Sequence, residues 1–180
     1  YFWGQTKYTR SEVKAITFQN VKKNIPITAW DVSAAGDRSV IAWMVSGNLD
    51  VAAAGEIAPN PDASYMFARF TYLEKIDFGD CFDTSNVTDM NDMFHDCSSL
   101  TSLNLTGFDT SNVTNMANMF SNCHSLTNLD LSCFNTSKVT NMIRMFDGCK
   151  NLVYLDLSYF HASSATTTTN MFKNCDMLKT

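Results

Sequence analysis

The sequence is poor in the features that usually announce chemistry. Seven glycines are spread over 180 residues, and they form no phosphate-cradling loop. No G-x-S-x-G elbow or H-E-x-x-H pair occurs either. No apolar run approaches the roughly 18–20 residues needed to span a bilayer, and no charged, apolar, small-residue leader opens the chain. Basic residues are scarce: 13 Lys and Arg against 18 Asp and Glu leave a formal charge of −5 and a pI near 5.0. That excludes a general phosphate-binding surface, so nucleic acid is not an expected partner. Charged residues reach only 17% while hydrophobic ones make up 45%, which favours a packed chain over a disordered one. The chain opens at Tyr1 rather than Met and stops at Thr180, and is expected to be a piece of a longer protein.

What the sequence has in quantity is copies of itself. Phe82, Phe108, Phe134 and Phe160 stand 26 residues apart without insertion. The units "FDTSNVTDMNDMFHDCSSLTSLNLTG" and "FDTSNVTNMANMFSNCHSLTNLDLSC" agree at 16 of 26 positions. The third reads "FNTSKVTNMIRMFDGCKNLVYLDLSY", and the fourth departs, with Ala165 and Thr168 where Val and Met belong. A period of this length signals one supersecondary unit stacked on the next. A lone unit has too little apolar surface to offset the cost of ordering its backbone. Repetition makes the fold possible.

Each unit has two halves. "LTSLNL" (Leu100 to Leu105) reads as a short strand with Leu103 and Leu105 inward, repeated at Leu126, Leu129 and Leu131 and at Leu152, Leu155 and Leu157. The L-x-x-L-x-L spacing is the strand half of a leucine-rich repeat. In the other half Val113, Met116, Met119, Phe120 and Cys123 follow one another at gaps of three and four, predicting one face of a short helix. Thr110 or Ser111 would cap it and Asp109 would suit its positive end.

The fold expected is an α/β solenoid: a leucine-rich-repeat-like right-handed coil with a parallel sheet on the concave side, short helices on the convex side and an N-terminal β-hairpin cap. Residues 64–180 form the array, with units starting near 64, 82, 108, 134 and 160. Residues 1–63 form the cap region, in which strand 13–18 joins the repeat sheet and a β-hairpin spans about 40–57.

Cys97, Cys123, Cys149 and Cys175 keep the repeat's phase and read as small buried hydrophobes rather than as a disulfide framework. Cys81 and Cys133 lie two coils apart, and no disulfide is predicted. Met90, Met116 and Met142, with Met93, Met119 and Met145, form two columns that read as core rather than as a soft-metal site.

Units of the form F-D-T-S-N-V-T-x-M-x-x-M-F-x-x-C-x-x-L-x-x-L-x-L resemble the BspA-like leucine-rich-repeat surface proteins of bacteria, over about Ser64 to Leu178. The resemblance implies a secreted or wall-attached protein of a host-associated bacterium, with binding to host proteins or other cells. It supplies no catalytic residues.

Strand positions between the inward leucines face outward. Lys75, Ser102, Asn128 and Tyr154 form one such column, and Asp77, Asn104, Asp130 and Asp156 form another. These eight are the candidate ligand-binding residues, with the exposed aromatic Tyr154 as the natural anchor. The plain alternative is solvated surface. Asp130 and Asp156 could be imagined around calcium, but a parallel column offers a row of oxygens rather than a cage, so no metal and no cofactor is expected. His95, His124 and His161 fall at three repeat phases and share no column. The sequons at Asn86, Asn104, Asn112 and Asn135 fall out of the repeat itself.

The function expected is a non-enzymatic recognition or adhesion module, extracellular or cell-wall attached, taking a protein or glycan on the concave face. A stalk or spacer is the alternative; a hydrolase using Trp30, Asp31 and Trp43 in the N-terminal region is the remote one. The chain is expected to be a monomer without membrane insertion, with self-association through the open C-terminal coil as the other arrangement.

Overall fold

The computed structural model describes residues 9–20, 30–31, 40–161 and 166–179. Trp30, Asp31, Val40 and Ile41 are described in backbone only, and Ala165 lies outside the described residues.

A short 3-10 helix at Arg10–Glu12 leads into strand β1, Ala15–Gln19. Strands β2 (Trp30–Asp31), β3 (Val40–Val45), β4 (Asn48–Ala53) and β5 (Lys75–Asp77) follow. They form one open, mixed sheet in the order β2-β3-β4-β1-β5. β1 lies parallel to both neighbours, pairing Ile16 with Leu49 on one side and with Ile76 on the other. β3 and β4 run antiparallel through a two-residue turn, Ser46 (φ 50°) and Gly47 (φ 84°). Two successive positive φ values match the right-handed twist of the strands they join. Ile16, Phe18, Leu49, Val51 and Ile76 are buried beneath this sheet, and Phe18 stacks on Phe78 at 5.7 Å.

Beyond β5 the chain leaves regular secondary structure while the repeat continues. Among the described residues the only helix is the three-residue turn at Arg10. The helices predicted for the second half of each unit are not formed. In their place stands a run of turns whose backbone bonds alternate in destination. The N–H groups of Met90, Asp92, Phe94 and Asp96 reach forward to the carbonyls of Asn115, Ala117, Met119 and Ser121 in the next unit, each at 2.9 Å. Those of Met93, His95 and Cys97 close local turns onto Met90, Asp92 and Phe94.

Left-handed residues impose this alternation. Asp92 and Asp96 have φ of 56° and 59°, Asn118 and Asn122 of 53° and 60°, Arg144 and Gly148 of 52° and 77°. An α-helix cannot pass through such a residue without losing its next hydrogen bond. Gly148 is the one glycine in this series; a Cβ there would collide with the Asn122 side chain. The helix cap predicted for Thr110 or Ser111 is absent for the same reason. Thr110 instead bonds across to Asn135 in the next unit.

The strand half also differs. The predicted alternation of burial is present, with Leu103, Leu105, Leu129 and Leu131 all buried. The continuous parallel sheet is not: ladder pairing ends at β5, and later units meet through the isolated bridge Asn128↔Tyr154 and bonds such as Val153 N–H to the Thr127 carbonyl. Each segment is cut short because Asn104, Asp130 and Asp156 accept the N–H two residues on and turn the chain. A longer series of parallel bridges lies elsewhere, linking Asp62, Asp89, Asn115, Asn141 and Thr167.

Between these seams the core repeats. Phe67, Phe94, Phe120, Phe146 and Phe172 stack face to face, with centroids 5.4, 5.6, 5.7 and 5.5 Å apart. The six column methionines are fully buried beside them. The thiols of Cys97, Cys123, Cys149 and Cys175 donate to the carbonyls of Phe67, Phe94, Phe120 and Phe146 at 3.0–3.2 Å. Cys133 is not buried as predicted but exposed, and Cys175 is half-buried; all six cysteines are free.

Candidate functional site: the outward polar face

All eight sequence-predicted residues are exposed on one face: Lys75 and Asp77 on β5, then Ser102, Asn104, Asn128, Asp130, Tyr154 and Asp156 in successive units. Their neighbours Ile76, Leu103 and Leu129 point inward, so the alternation of an extended backbone separates the two sets. Tyr154 is 65% exposed and its backbone bridges that of Asn128.

The acidic column has a structural use that spacing alone did not disclose. Asp77, Asn104, Asp130 and Asp156 each accept the N–H two residues ahead, from Gly79, Thr106, Ser132 and Ser158, at 2.8–3.1 Å. Each side chain closes its own turn through one oxygen, and in Asp77, Asp130 and Asp156 the second carboxylate oxygen is not used by that bond. The Ser132 and Ser158 N–H groups stabilise the ionised forms of Asp130 and Asp156 and hold both carboxyls below the ordinary carboxylate value; their hydroxyls add to this. At Asp156 the negative charge of Asp130 works in the opposite direction. Asp130 and Asp156 therefore favour their charged forms.

Three further columns went unread in the sequence. Asp83, Asp109 and Asn135 close the same kind of turn onto Ser85, Ser111 and Ser137. Asp62, Asp89, Asn115 and Asn141 do so onto Ser64, Asn91, Ala117 and Ile143. Thr84, Thr110 and Thr136 are buried, and each hydroxyl accepts a backbone N–H of the following unit. The repeated D-T-S-N was the available signal, since Asp, Asn, Ser and Thr favour such local bonds. Tyr72 and Tyr159, at 59% and 56% exposure, are additional outward aromatics.

The histidines remain apart. Among the described residues only His95 has carboxylate neighbours, with its Nε2 3.1 Å from Asp96 and its Nδ1 3.6 Å from Asp92. Among the described residues no group of three or more His, Cys, Asp or Glu side chains could hold a metal ion. Burial pushes the Cys97 and Cys149 thiols up to about 12 and Cys123 well above its ordinary value, so these sulfurs stay protonated and are poor nucleophiles. Trp43 is buried in β3; the side chains of Trp30 and Asp31 lie outside the described residues. No helix of the described chain is long and apolar enough to cross a membrane.

Stacked 26-residue units, joined seam to seam by their backbones and presenting one polar face, define the class: a repeat protein. Residues 61–180 match the family described as "Mycoplasma protein of unknown function, DUF285". The chain belongs to that family. No curated protein and no solved structure matches it.

Proposed function

We propose that this chain is a non-enzymatic recognition module of a bacterial cell-surface or wall-attached protein. It binds an extracellular protein or glycan through the face formed by Lys75, Asp77, Ser102, Asn104, Asn128, Asp130, Tyr154 and Asp156. The observation that carries this reading is the contrast between the two sides of one backbone. Inward positions hold Leu in unit after unit, whereas outward ones change from Lys75 to Ser102 to Asn128 to the exposed Tyr154. Repeat arrays use such surfaces for partners, because side chains there vary without disturbing the core. In this reading the stacked units form a right-handed, leucine-rich-repeat-like solenoid with the face on its concave side, in keeping with the resemblance to BspA-like surface proteins.

A second reading, a stalk that spaces another domain from the cell, is favoured by the turn-closing use of Asp77, Asn104, Asp130 and Asp156. That use accounts for the acidic column without a ligand. A binding screen against extracellular proteins and glycans, with Asp130→Lys and Tyr154→Ala as variants, separates the two. Loss of a hit on either change supports recognition. A hit unaffected by both moves the site off this face, and no hit at all favours the stalk.

A further inference from the structure

Three positions of each turn run lie on one side of the stack. In one unit they are Asp92, His95 and Asp96, and the imidazole stands between the two carboxylates. The next unit places Asn118, Ser121 and Asn122 there, and the Asn122 amide donates to Asp96 at 2.8 Å. The one after carries Arg144, Asp147 and Gly148, with Arg144 3.9 Å from Asp147. In these three units every charge at the three positions faces a group that answers it.

The unit before them breaks the pattern. Its residues in the same register are Tyr65, Ala68 and Arg69, since the N–H groups of Tyr65 and Arg69 donate to the carbonyls of Asn91 and His95. Ala68 has no side chain to fill the place that the His95 ring fills. The Arg10 guanidinium donates to the Ala68 carbonyl at 2.6 Å and lies 5.5 Å from the centre of the Phe70 ring. Arg10 therefore binds the peptide that leads into Arg69. Among the described residues neither arginine forms an ion pair. Glu12 is occupied by the Thr9 N–H and hydroxyl, and Asp96 by His95 and Asn122. Burial, and after it the positive charge of Arg69, disfavour the charged form of Arg10. The backbone adds a second sign. Tyr65 and Arg69 are left-handed, with φ of 57° and 64°, at positions where later units carry Asp92, Asn118 and Asn170, and Asp96, Asn122, Gly148 and Asn174. Only Arg144 departs from that rule, and it has Asp147. Tyrosine and arginine suit this conformation poorly, yet both side chains are exposed, Tyr65 at 46%. Strain held at exposed side chains points to a use outside the fold.

We propose that Arg10, Tyr65 and Arg69 form a docking site for an acidic segment of a partner polypeptide, whose carboxylates meet the two guanidiniums and whose apolar side chains cover the Tyr65 ring. Charge complementarity selects the anion: two unpaired cations stand together on a chain whose formal charge is −5. Planar guanidiniums pair with carboxylates through two parallel hydrogen bonds. The exposed aromatic selects a polypeptide over a bare phosphate or sulfate, which would leave the Tyr65 ring uncovered, and tyrosine with arginine is the pairing that dominates protein interfaces. The site uses the turn run rather than β5 and its successors, so it stands whether or not the outward polar face takes a ligand.

The test titrates the whole chain into a fluorescent peptide of alternating glutamate and leucine, with its glutamine counterpart, inorganic phosphate and a sulfated polysaccharide alongside. Saturable binding of the glutamate peptide is expected, weakened by salt and lost in the glutamine version. Arg69→Asn and Tyr65→Asn install the residue type that later units carry at these positions, so the chain stays folded and unfolds no earlier in urea. Arg69→Asn should nevertheless weaken binding at least about tenfold and Tyr65→Asn about threefold. Lys75→Gln, on the outward polar face, should change it less than about twofold. The proposal is overturned by a glutamate peptide that does not bind at millimolar concentration, by equal binding of the glutamine version, or by folded variants that bind as the parent does. Phosphate or the sulfated polysaccharide binding in preference to the peptide overturns it as well.

Discussion

The Thr110 hydroxyl accepts the Asn135 N–H at 2.8 Å and donates to the Asn135 carbonyl at 3.2 Å. One buried side chain thereby closes both backbone groups of a residue 25 positions away, and Thr84 does the same for Asp109. Thr110→Val keeps the shape and removes both bonds. The expected loss is about 1–2 kcal/mol of unfolding free energy, read from urea denaturation, with Thr110→Ser retaining most of the stability. A valine variant as stable as the parent would show that this bond does not join the units.

Asn118 offers a test of sign. Were its segment helical, Asn118→Ala would stabilise the chain, because alanine is the better helix former. Asn118 has φ of 53°, a conformation that disfavours a Cβ-bearing residue without a short polar side chain by about 1–2 kcal/mol. Asn118→Ala is therefore expected to destabilise by about 1 kcal/mol and Asn118→Gly to be nearly neutral. The same urea series decides between them.

The buried thiols predict behaviour at high pH. Burial raises Cys97 and Cys149 from the ordinary 9.0 to about 12 in the folded chain. Between those values the folded state holds protons that the unfolded state has released. Stability is then complete below pH 9 and falls as pH rises toward 12. Urea midpoints measured across this range should decline, and Cys97→Ala should flatten the decline relative to its own value at neutral pH. An equal slope in the variant would remove Cys97 from the account. In the native chain a polar alkylating reagent should modify the exposed Cys133 well before the buried Cys97, Cys123 or Cys149.

Asp130 separates charge from architecture. Asn in its place can still accept the Ser132 N–H, as Asn104 does from Thr106, but brings no charge. Asp130→Asn should leave thermal stability within about 0.5 kcal/mol and weaken any partner that reads the carboxylate. Asp130→Ala should disturb the turn as well. Calorimetry on the pair, alongside binding, reveals whether the side chain serves the turn alone.

Much of this was legible in the sequence because burial follows side-chain direction. The period of 26, the inward leucines and the Met, Phe and Cys columns announced which atoms meet inside. The backbone route was not legible from those residues. Gaps of three and four place Val113, Met116, Phe120 and Cys123 on one side of a helix, but a chain of turns brings them together equally well. The missing sign was polar: Asp92 and Asp96, then Asn118 and Asn122, recur four apart in residue types that tolerate left-handed backbone. Arg144 obscured that series, and helical spacing masked the rest. On the outward face exposure was readable, whereas the turn-closing bonds were hidden in an Asp–Leu–Ser triplet that was read only as strand.

Each seam consists of bonds between one unit and its immediate neighbour, with little reaching further along the stack. Such an assembly should come apart under tension like a zip rather than burst like a globule. Pulled from Thr180 in a force spectrometer, the chain is expected to lengthen in equal steps, each releasing 26 residues or about 90 Å of extended backbone. A chain built this way would give ground a notch at a time when tugged, and close again once slack.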